Sequence, residues 1–564
     1  MNMDRVPASA TMDAMKILSA AEMQACDRAT TERFGVPSLE LMRAAAAAVA
    51  GFARERFPRA ARVTVLCGRG NNGGDGMMAA RLLARAGLDV TTLLLGAPDG
   101  LKGDAVVAWR ELTDPVHGLI YTVHTAEELE RHSDALDADL ILDAVVGTGF
   151  KPPLKGLALA SLRWVKASKA PILAVDLPSG WAADSTEATL ADSDSNLVFP
   201  ADAVITFTAP KPAHVFGQLT RAWDQPIVVT PIGSPEGAIV SALGLDWAGS
   251  AMGIVQAPRA AGANKGNFGH VLVVGGSVGR SGAPAMTSLG ALRTGAGLVT
   301  AAVPAAVLAQ VAGVAPELMT FPLKASPSGY ITSENIVPEM ITGLTAGKTV
   351  LAIGPGLGQG AETAKFVAGL LFGTKIPAVI DADALNILAA KPALLAKLGK
   401  IATGGRTLVL TPHPGEMARL TGTTVAEVQA NRLEVAREFA QRLGVTLVLK
   451  GARTLIAHPD GRVAVNTTGN PGMAKGGSGD LLTGVIAGLL AQYPAETARA
   501  VEAAVTLHGL AADLAVQEAD EHSLLATDSL RYFSRAFRFE SRGSNGYVWL
   551  QGAFDAAAPR EDLE

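Results

Sequence analysis

Short apolar runs alternate with amphipathic stretches along most of this chain. Apolar runs rich in Val, Ile and Leu are typical of strands buried on both faces, and the stretches between them have helical spacing. The alternation predicts βαβ units and parallel sheets, so the predicted class is α/β. Two helices are predicted before the first strand, over residues 19–34 and 38–57. The predicted strands are residues 62–67, 90–95, 139–145, 171–175 and 203–208, followed by 269–274, 298–303, 349–353, 378–381, 407–410 and 445–449.

Residues 231–266 interrupt this rhythm, because prolines and glycines replace the periodic pattern. We therefore place a domain boundary near residue 245. The predicted domains are residues 1–245 and 246–528, followed by a C-terminal extension, 529–564, of unknown role. That extension mixes Arg with aromatic residues at 531–539. The favoured interpretation is a peripheral segment over the second domain, with docking to another subunit or nucleic-acid stacking as alternatives. A hairpin is predicted at 453–466, around the turn Asp460-Gly461.

Composition narrows the class of protein. Among 564 residues, 48 are Lys or Arg and 53 are Asp or Glu, so the net charge is −5. This balance argues against nucleic acid or an anionic membrane as the main partner. The content of 49% hydrophobic and 18% charged residues excludes a largely disordered chain. The sequence holds two cysteines, Cys26 and Cys67, and shows neither a signal-peptide pattern nor an apolar run long enough to span a membrane. We expect a cytoplasmic protein with small-molecule substrates, and the sequence leaves homo-oligomerisation open.

Polar residues follow three predicted strands of the first half. Residues 67–76 read Cys-Gly-Arg-Gly-Asn-Asn-Gly-Gly-Asp-Gly, where backbone amides near a helix N-terminus favour an anion. The spacing is not GxGxxG, so the usual dinucleotide pattern is absent. Asp143 and Asp176 end two further apolar runs, and Ser179 follows the second. Ligands of open α/β sheets bind at the carboxyl ends of strands, and Asn, Asp and Ser oxygens suit a hard cation such as K⁺.

The second half carries a denser set of such loops. Glycine-rich segments lie at 275–283 and 354–358, and polar residues follow other strands at 381–386, 411–416 and 450–454. The segment 470–480 ends in Gly-Gly-Ser-Gly-Asp before a helical pattern. Its glycine amides would form a hole for phosphoryl oxygens. Asp480 would stand in the first turn, where an acid can take a proton from a substrate hydroxyl.

Through Asn-Asn-Gly-Gly-Asp at 71–75 and Asn-Pro-Gly-Met-Ala…Gly-Ser-Gly-Asp at 470–480, the chain resembles the bifunctional NAD(P)H-hydrate repair enzymes. Roughly the first 240 residues resemble the epimerase domain, and residues from about 250 to 525 resemble the ADP-dependent dehydratase domain. The resemblance implies an N-terminal Rossmann-like three-layer domain and a C-terminal ribokinase-like domain. The implied activity is metabolite repair. One domain interconverts the R and S hydrates of NADH and NADPH, and the other dehydrates the S hydrate with ADP, giving NAD(P)H, AMP and phosphate.

The resemblance also assigns roles to residues. Asp176 would be the acid–base group of the epimerase, with Lys211 as a weaker candidate, and Asp480 would be the catalytic base of the dehydratase. K⁺ is implied in the first domain and Mg²⁺, with the nucleotide, in the second. The hydrate would bind, in the first domain, to Asn71, Asn72, Gly73, Gly74, Asp75, Gly147, Thr148, Gly149, Phe150, Lys151, Pro152, Pro153 and Asp176, and in the second to Ala283, Gly356, His413 and Asp480. ADP or AMP would bind to Lys450, Gly451, Ala452, Arg453, Thr454 and Gly479, and K⁺ to Asn72, Asp143 and Ser179.

Two other functions stay open at this level. A small-molecule kinase of the ribokinase-like class would also use the glycine and Asp480 pattern, although it would not need residues 71–75 with Asp143 and Asp176. A nucleotide-sensing module is the non-enzymatic alternative. The chain departs from the family pattern at Arg69, where Pro is usual, and at Arg453 and Lys475, where a small residue and Thr are usual.

Overall fold

The computed structural model describes residues 14–190, 197–543 and 545–552 of the 564-residue chain. The chain forms two compact units, each with its own sheet. The N-terminal unit comprises residues 16–243 and the tail from residue 540, and the C-terminal unit comprises 244–539 and the segment before Lys16. This confirms the predicted α/β class. Within the described ranges, no helix has the length and apolar character needed to cross a membrane.

The described residues of the N-terminal unit form an eight-stranded sheet. Its strands are β1 (Arg62–Cys67), β2 (Asp89–Leu95), β3 (Leu119–Val123), β4 (Leu140–Ala144), β5 (Ile172–Val175), β6 (Ala203–Phe207), β7 (Ile227–Thr230) and β18 (Val548–Gln551). The order is β18-β7-β6-β5-β4-β1-β2-β3, and only the β18–β7 pair is antiparallel. Its helices are α1 (Ala20–Glu32), α2 (Ser38–Arg56), α3 (Asn71–Arg85), α4 (Asp104–Thr113), α5 (Ala126–Glu130), α6 (Gly156–Val165) and α7 (Pro212–Phe216).

Alternate residues of β1 face two different cores. Val65 and Cys67 pack with α2 and α3 on one face of the sheet, and Leu66 packs with α6 residues such as Leu162 on the other. This two-residue period produces a three-layer unit. Strand β1 lies between β2 and β4, so the strand order reverses at this point. The loops after the neighbouring strands turn away from each other there, which leaves a crevice at the carboxyl ends of the strands.

The tail returns to the first sheet as its edge strand. Strand β18 pairs with β7, and the Tyr547 hydroxyl donates to the Ala48 carbonyl over 3.0 Å. The Tyr547 and Trp549 rings stand edge-on to Phe52, with centroids 5.4 and 6.0 Å away. Gly51 leaves room for this packing, because a Cβ there would lie 2.8 Å from the Tyr547 hydroxyl. Tyr547 therefore belongs to the core of the N-terminal unit and Trp549 packs against it, whereas the aromatic residues at 531–539 belong to the C-terminal unit.

The described residues of the C-terminal unit form a ten-stranded sheet. Its strands are β8 (Leu245–Trp247), β9 (His270–Val274), β10 (Leu298–Pro304), β11 (Met319–Leu323), β12 (Val350–Ile353), β13 (Ala378–Ile380), β14 (Leu408–Leu410), β15 (Thr446–Leu449), β16 (Leu455–Ala457) and β17 (Val463–Val465). The order is β11-β10-β9-β12-β13-β14-β15-β16-β17-β8, antiparallel only on the two sides of β16. The helices are α8 (Gly253–Gln256), α9 (Gly282–Arg293), α10 (Leu308–Ala312), α11 (Pro338–Thr345), α12 (Ala361–Gly373), α13 (Ala382–Ala389), α14 (Pro392–Thr403), α15 (Pro414–Thr421), α16 (Val425–Ala430), α17 (Arg432–Leu443), α18 (Ser478–Gln492), α19 (Thr497–Val516) and α20 (Phe533–Arg538).

Two glycines bring helices α9 and α18 into backbone contact. A Cβ on Gly484 would lie 1.8 Å from the Thr287 carbonyl oxygen, and one on Gly290 would lie 2.5 Å from that of Leu481. Only glycine permits so close an approach. The first turn of α18 is thereby fixed beside the start of α9.

Differences from the predicted elements have physical causes. Strands β3 and β11 were not predicted because, as edge strands, they are only partly buried and lack a continuous apolar run. Strands β7 and β8 were not predicted either, since each has only three or four residues and lies beside or within the segment 231–266 that is rich in proline and glycine. Helix α3 begins at Asn71, although the periodic helical pattern of the sequence begins only at Met77. The first turns are hidden in the sequence because glycines and a carboxyl group occupy them. The strands predicted in the two halves and the 453–466 hairpin are confirmed within a few residues.

Candidate functional site

A cavity of about 1100 Å³ opens at the carboxyl ends of the N-terminal strands. We call it the N-terminal cavity. Residues 68–72 after β1, 95–97 after β2 and 145–150 after β4 line it, together with Asp176 after β5 and Lys211. Its volume lies at the upper end of the ~300–1,000 Å³ usual for small-molecule sites, so it is large enough for an extended ligand.

The Asn-Asn-Gly-Gly-Asp segment forms the first turns of α3. Gly73 allows the chain to fold back, because a Cβ there would lie 1.8 Å from the Gly68 carbonyl oxygen. The first amides of the helix have no intrahelical acceptor and carry partial positive charge, so this end can bind an anion. Asn71, Asn72 and Asp75 line the N-terminal cavity.

Asp176 is held by side chains from three segments. Its Oδ1 accepts hydrogen bonds from Lys211 Nζ at 2.8 Å and Thr206 Oγ1 at 2.9 Å. Its Oδ2 accepts from the Thr148 backbone amide at 2.9 Å and also from the Thr148 hydroxyl. The residue has φ +68°, a strained conformation for Asp, and its carbonyl contacts His214 Nε2 at 2.7 Å. Strained backbone of this kind, next to a carboxylate that accepts hydrogen bonds on both oxygens, makes Asp176 a candidate functional residue.

The surroundings of Asp176 keep its carboxyl group ionised. Burial by itself would raise the pKa of Asp176, but the Lys211 ammonium and the surrounding hydrogen bonds hold it well below its usual range. Burial and the Lys211 charge lower the pKa of His214 to about 4. At neutral pH the cavity therefore presents an ionised Asp176 next to a neutral imidazole.

The three residues predicted to bind K⁺ lie together beside this cavity. Ser179 donates to Asp143 through its amide, 2.7 Å, and its hydroxyl, 2.6 Å, and accepts from the Val146 amide, 3.0 Å. Asn72 Nδ2 donates to the Val146 carbonyl, 3.0 Å, while its buried Oδ1 has no hydrogen-bond partner among the described residues. Burial raises the pKa of Asp143 to about 6. An orphaned amide oxygen beside a buried carboxyl and a hydroxyl is a donor set that fits K⁺.

The remaining residues predicted for the first site differ in their position relative to the cavity. Gly147, Thr148, Gly149 and Phe150 line the cavity. Lys151, Pro152 and Pro153 are exposed and lie outside its lining, and Gly73 and Gly74 are buried beneath the helix start. Burial, with the nearby Asp176 carboxylate, raises the pKa of Asp75 well above its usual value. The structure thus divides the 71–75 segment into cavity-lining Asn71, Asn72 and Asp75 and packing glycines.

The second cluster, which we call the C-terminal site, surrounds the first turn of α18. Asp480 stands in that turn, and its carbonyl accepts a hydrogen bond from Thr287 Oγ1 at 2.9 Å. The same hydroxyl lies 3.0 Å from the Ala283 carbonyl. Gly356 has φ +69°, and a Cβ there would lie 3.2 Å from that of Ala283. Ala283, Gly356 and Asp480, predicted from separate motifs, therefore share one site.

Lys450 brings a fixed positive charge to the same place. Its Nζ donates to Asp381 Oδ1 at 2.9 Å, and Thr483 donates to the other oxygen at 2.7 Å. A Cβ on Gly479 would lie 3.3 Å from Lys450 Nζ. Burial and the Asp381 carboxylate raise the pKa of Asp480 to about 6, against the opposing effect of Lys450. Asp480 thus combines the two properties of a general base, because it is ionised at neutral pH and has a proton affinity above that of an ordinary carboxylate.

Other predicted residues are placed as follows. His413 caps α15, with Nδ1 accepting from the Gly415 amide at 3.0 Å, and its ring is half exposed. Arg453 has φ +53° and donates to the Thr467 carbonyl at 2.9 Å. Thr454 Oγ1 donates to the Gly451 carbonyl at 2.8 Å, which shapes the loop that follows Lys450. Lys475 donates to the His522 carbonyl, and Ala452 is exposed.

Several functional contacts were outside the predicted site residues. Thr206 and His214 bond to Asp176, and Asp381 and Thr483 fix Lys450. Asp381 had a usable signal, because it ends an apolar strand. Thr206 and Thr483 lie inside a strand and a helix, where a buried hydroxyl resembles any β-branched core residue in sequence.

Family comparisons cover both units. Residues 38–213 match the family model described as YjeF-related protein N-terminus, and residues 271–535 match the model described as NAD(P)H-hydrate dehydratase. A relative from Moorella thermoacetica, named a bifunctional NAD(P)H-hydrate repair enzyme, is 39% identical over 539 residues, covering 93% of this chain and 97% of the relative. The relative of that name from Escherichia coli is 34% identical, over 93% of this chain and 95% of its own.

Solved structures also match the second half. An ADP/ATP-dependent NAD(P)H-hydrate dehydratase from Bacillus subtilis, co-crystallised with ATP and Mg²⁺, is 34% identical with a TM-score of 0.42. The match covers 51% of this chain and 96% of that one. A ribokinase-like superfamily protein from Enterococcus faecalis is 28% identical with a TM-score of 0.44, over 53% and 97% of the two chains.

Proposed function

This chain belongs to the family of bifunctional NAD(P)H-hydrate repair enzymes, and from that premise we propose how its two sites divide the reaction. The enzyme restores NADH and NADPH whose nicotinamide ring has been hydrated. The N-terminal unit interconverts the R and S hydrates, and the C-terminal unit dehydrates the S hydrate with a nucleotide. The observation that carries the proposal is Asp480, a carboxylate of raised pKa fixed beside Lys450 at a helix N-terminus.

In the N-terminal cavity, Asp176 and Lys211 form the acid–base unit. Donors surround both Asp176 oxygens, so the carboxylate stays ionised and holds the Lys211 ammonium in place, and Lys211 is the member of the pair that gives up and takes back the proton. The bond between the hydroxyl oxygen and C6 of the ring breaks and re-forms on either face. Asn71, Asn72 and Asp75 hold the rest of the dinucleotide, whose pyrophosphate meets the amides at the start of α3.

K⁺ is proposed as the resident ion of this cavity. Asn72 Oδ1, the Asp143 carboxylate and Ser179 would hold it, since the Asn72 oxygen lacks a partner among the described residues and the Asp143 carboxyl is buried. When bound, the ion supplies positive charge that keeps Asp143 ionised and stabilises negative charge on a bound ligand.

In the C-terminal site, Asp480 takes the proton of the hydrate hydroxyl. That oxygen attacks the terminal phosphoryl group of ADP, and AMP leaves. Phosphate then departs from C6 and a proton from C5, which restores the dihydronicotinamide. The amides at the start of α18 and the Lys450 ammonium stabilise charge on the transferring group. Lys450, Gly451, Ala452, Arg453, Thr454 and Gly479 bind the nucleotide, and Ala283, Gly356 and His413 bind the hydrate.

Mg²⁺ is proposed to accompany the nucleotide. Within the described residues, no three or more His, Cys, Asp or Glu side chains cluster as a metal site, and Mg²⁺ is commonly bound through substrate phosphates. Nothing else in the reaction requires a partner protein, nucleic acid or a membrane. We propose that it takes place in the cytoplasm, where the reduced dinucleotides are used.

The decisive assay measures recovery of dihydronicotinamide absorbance from a mixed R and S hydrate preparation with Mg²⁺ and K⁺. ADP, ATP and no nucleotide are compared. Full recovery with ADP, together with release of AMP and phosphate, supports both activities. Recovery of the S fraction only would contradict the epimerase half of the proposal. Recovery in the absence of nucleotide, or no recovery in any of the three conditions, would contradict the dehydratase half.

A further inference from the structure

Arg69 places an available positive charge on one side of the N-terminal cavity. It lies in the turn between β1 and α3 and lines the cavity. Its side chain packs on the loop after β2, since a Cβ on Gly96 would lie 2.9 Å from Arg69 Cδ and one on Gly100 would lie 2.8 Å from Nη1. Arg69 is exposed and forms no ion pair with any residue that the structure describes. Its guanidinium is therefore positioned by packing but not neutralised.

The position of the reacting groups determines which end of a dinucleotide reaches Arg69. Asp176 follows β5, on the β4 side of β1, whereas Gly96 follows β2, on the opposite side. The amides of α3, after β1, lie between them and suit the pyrophosphate. If the hydrated nicotinamide lies at Asp176, the adenosine half extends over the end of β2. Arg69 then faces the adenosine ribose.

The residues at the end of β2 are better suited to bind a phosphate group than a pair of ribose hydroxyls. In dinucleotide-binding folds, a carboxylate there bonds the ribose hydroxyls of NAD, and an Arg accommodates the 2′-phosphate of NADP. Here β2 ends at Leu95 and continues into Gly96-Ala97 with no carboxylate. Asp99 is exposed and forms no ion pair with Arg69, and the next carboxyl of the lining is Asp104, at the start of α4. A guanidinium offers two parallel donors to phosphate oxygens. We propose that Arg69 binds the 2′-phosphate of the NADPH hydrate and makes the epimerase favour that hydrate over the NADH hydrate, an inference that rests on the proposed function of this site.

The acidic residues of the cavity do not oppose this assignment. Asp27, Asp75 and Asp104 also line it. Burial raises the pKa of Asp75 well above its usual value and also raises the pKa of Asp27. Lys155 and Lys211 add positive charge to the lining, and Lys211 is paired with Asp176. Burial thus acts against the negative charge of two of the carboxyl groups that a phosphate would meet.

The test follows interconversion of R and S hydrates by chromatography without any nucleotide, so that the C-terminal site stays silent. Wild type, Arg69→Ala and Arg69→Lys are compared on NADPH hydrate and NADH hydrate. Arg59→Ala is the matched control, because Arg59 is an exposed arginine of the same unit that does not line the cavity. We expect Arg69→Ala to lower kcat/KM for the NADPH hydrate by about 10- to 100-fold, mainly through KM, the loss typical of one charge-assisted hydrogen bond. The NADH hydrate should change by less than about twofold, and Arg69→Lys should fall between.

Binding of two probes separates this inference from the epimerase assignment. Adenosine 2′,5′-bisphosphate and adenosine 5′-monophosphate are titrated by calorimetry into the full-length wild type and Arg69→Ala, with excess ADP and Mg²⁺ present so that the proposed nucleotide site of the C-terminal unit is already occupied. We expect the wild type to prefer the bisphosphate and the variant to lose that preference. An equal loss on both hydrates would place Arg69 at the pyrophosphate and overturn the proposal, as would an unchanged preference. A wild type that interconverts neither hydrate but still prefers the bisphosphate would contradict the epimerase function and leave the Arg69 contact standing.

Discussion

At the scale of single residues, the carboxyl groups of Asp176 and Asp480, which we propose to be catalytic, have opposite electrostatic settings. Lys211 and hydrogen bonds hold the pKa of Asp176 below its usual range despite burial. Burial and neighbouring carboxylates raise the pKa of Asp480 to about 6. One group therefore keeps a permanent charge, while the other can accept and release a proton near neutral pH.

Replacing Asp480 by Asn should abolish dehydration and leave epimerisation intact. The amide has nearly the same shape as the carboxylate but cannot accept the hydroxyl proton. We expect a fall in dehydratase kcat of at least about 100-fold, the contribution of a positioned general base. The measurement is recovery of absorbance from S hydrate with ADP, with R and S interconversion in the same sample as the control. Loss of both activities would contradict two separate sites.

Dehydratase activity should fall on the acid side of pH 6. Asp480 must be ionised to act as a base, and its pKa is raised to about 6. As the pH falls through that value the carboxyl becomes protonated, so kcat/KM should drop tenfold for each further pH unit. The readout is a pH–rate profile on S hydrate, with protein integrity checked at each pH. A profile that stays flat down to pH 4.5 would rule out Asp480 as the base.

At the scale of elements, the tail strand β18 is a structural part of the N-terminal unit. A chain ending at Phe539 loses β18 and the contacts of Tyr547 with Phe52 and Ala48. Loss of one such buried aromatic costs about 3–5 kcal/mol. We expect epimerase activity to be lost at a lower temperature than dehydratase activity after this truncation.

The matched control for that experiment is a chain ending at Gly552, which retains β18. Both activities are measured after stepwise heating, because two units need not unfold together. Equal inactivation temperatures for the two truncated chains would show that β18 contributes nothing to the first sheet. Tyr547→Phe keeps the ring and removes only the hydroxyl bond to Ala48, so it should cost about 1 kcal/mol.

Most strands buried inside the two sheets were predictable, whereas the inner strand β7 and the edge strands β3, β8, β11 and β18 were not. Strands such as β1 and β12 are continuous apolar runs, which sequence reveals directly. The pairing of β18 with β7 joins residues more than 300 positions apart. Nothing in the local pattern of Val548–Gln551 identifies that partner. The same holds for the residues of the two sites. Those in loops after strands were predicted, whereas Thr206, inside a strand, and Thr483, inside a helix, were not.

At the scale of the whole molecule, we propose a separate site for each unit, with K⁺ in the first and Mg²⁺ in the second. Replacing K⁺ by Li⁺ should lower epimerisation several-fold, because Li⁺ is too small for the oxygen set of Asn72, Asp143 and Ser179. Dehydration of pure S hydrate at constant Mg²⁺ should stay within about twofold, which makes it the internal control. Equal sensitivity of the two activities would place the monovalent ion elsewhere.

The position of β18 in the sequence also determines when the first sheet can be completed during synthesis. Ribosomes synthesise a chain from its N-terminus onward, so Tyr547 and Trp549 emerge only after residues 244–539 of the C-terminal unit. The first sheet therefore lacks its edge strand until the C-terminal unit has been translated. A chain that stops before Val548 has an N-terminal unit with an open β7 edge, which is prone to pair with other chains. Translation through Gln551 is thus a condition for a closed first sheet, and a short tag fused directly after Gln551 would be placed at that same edge.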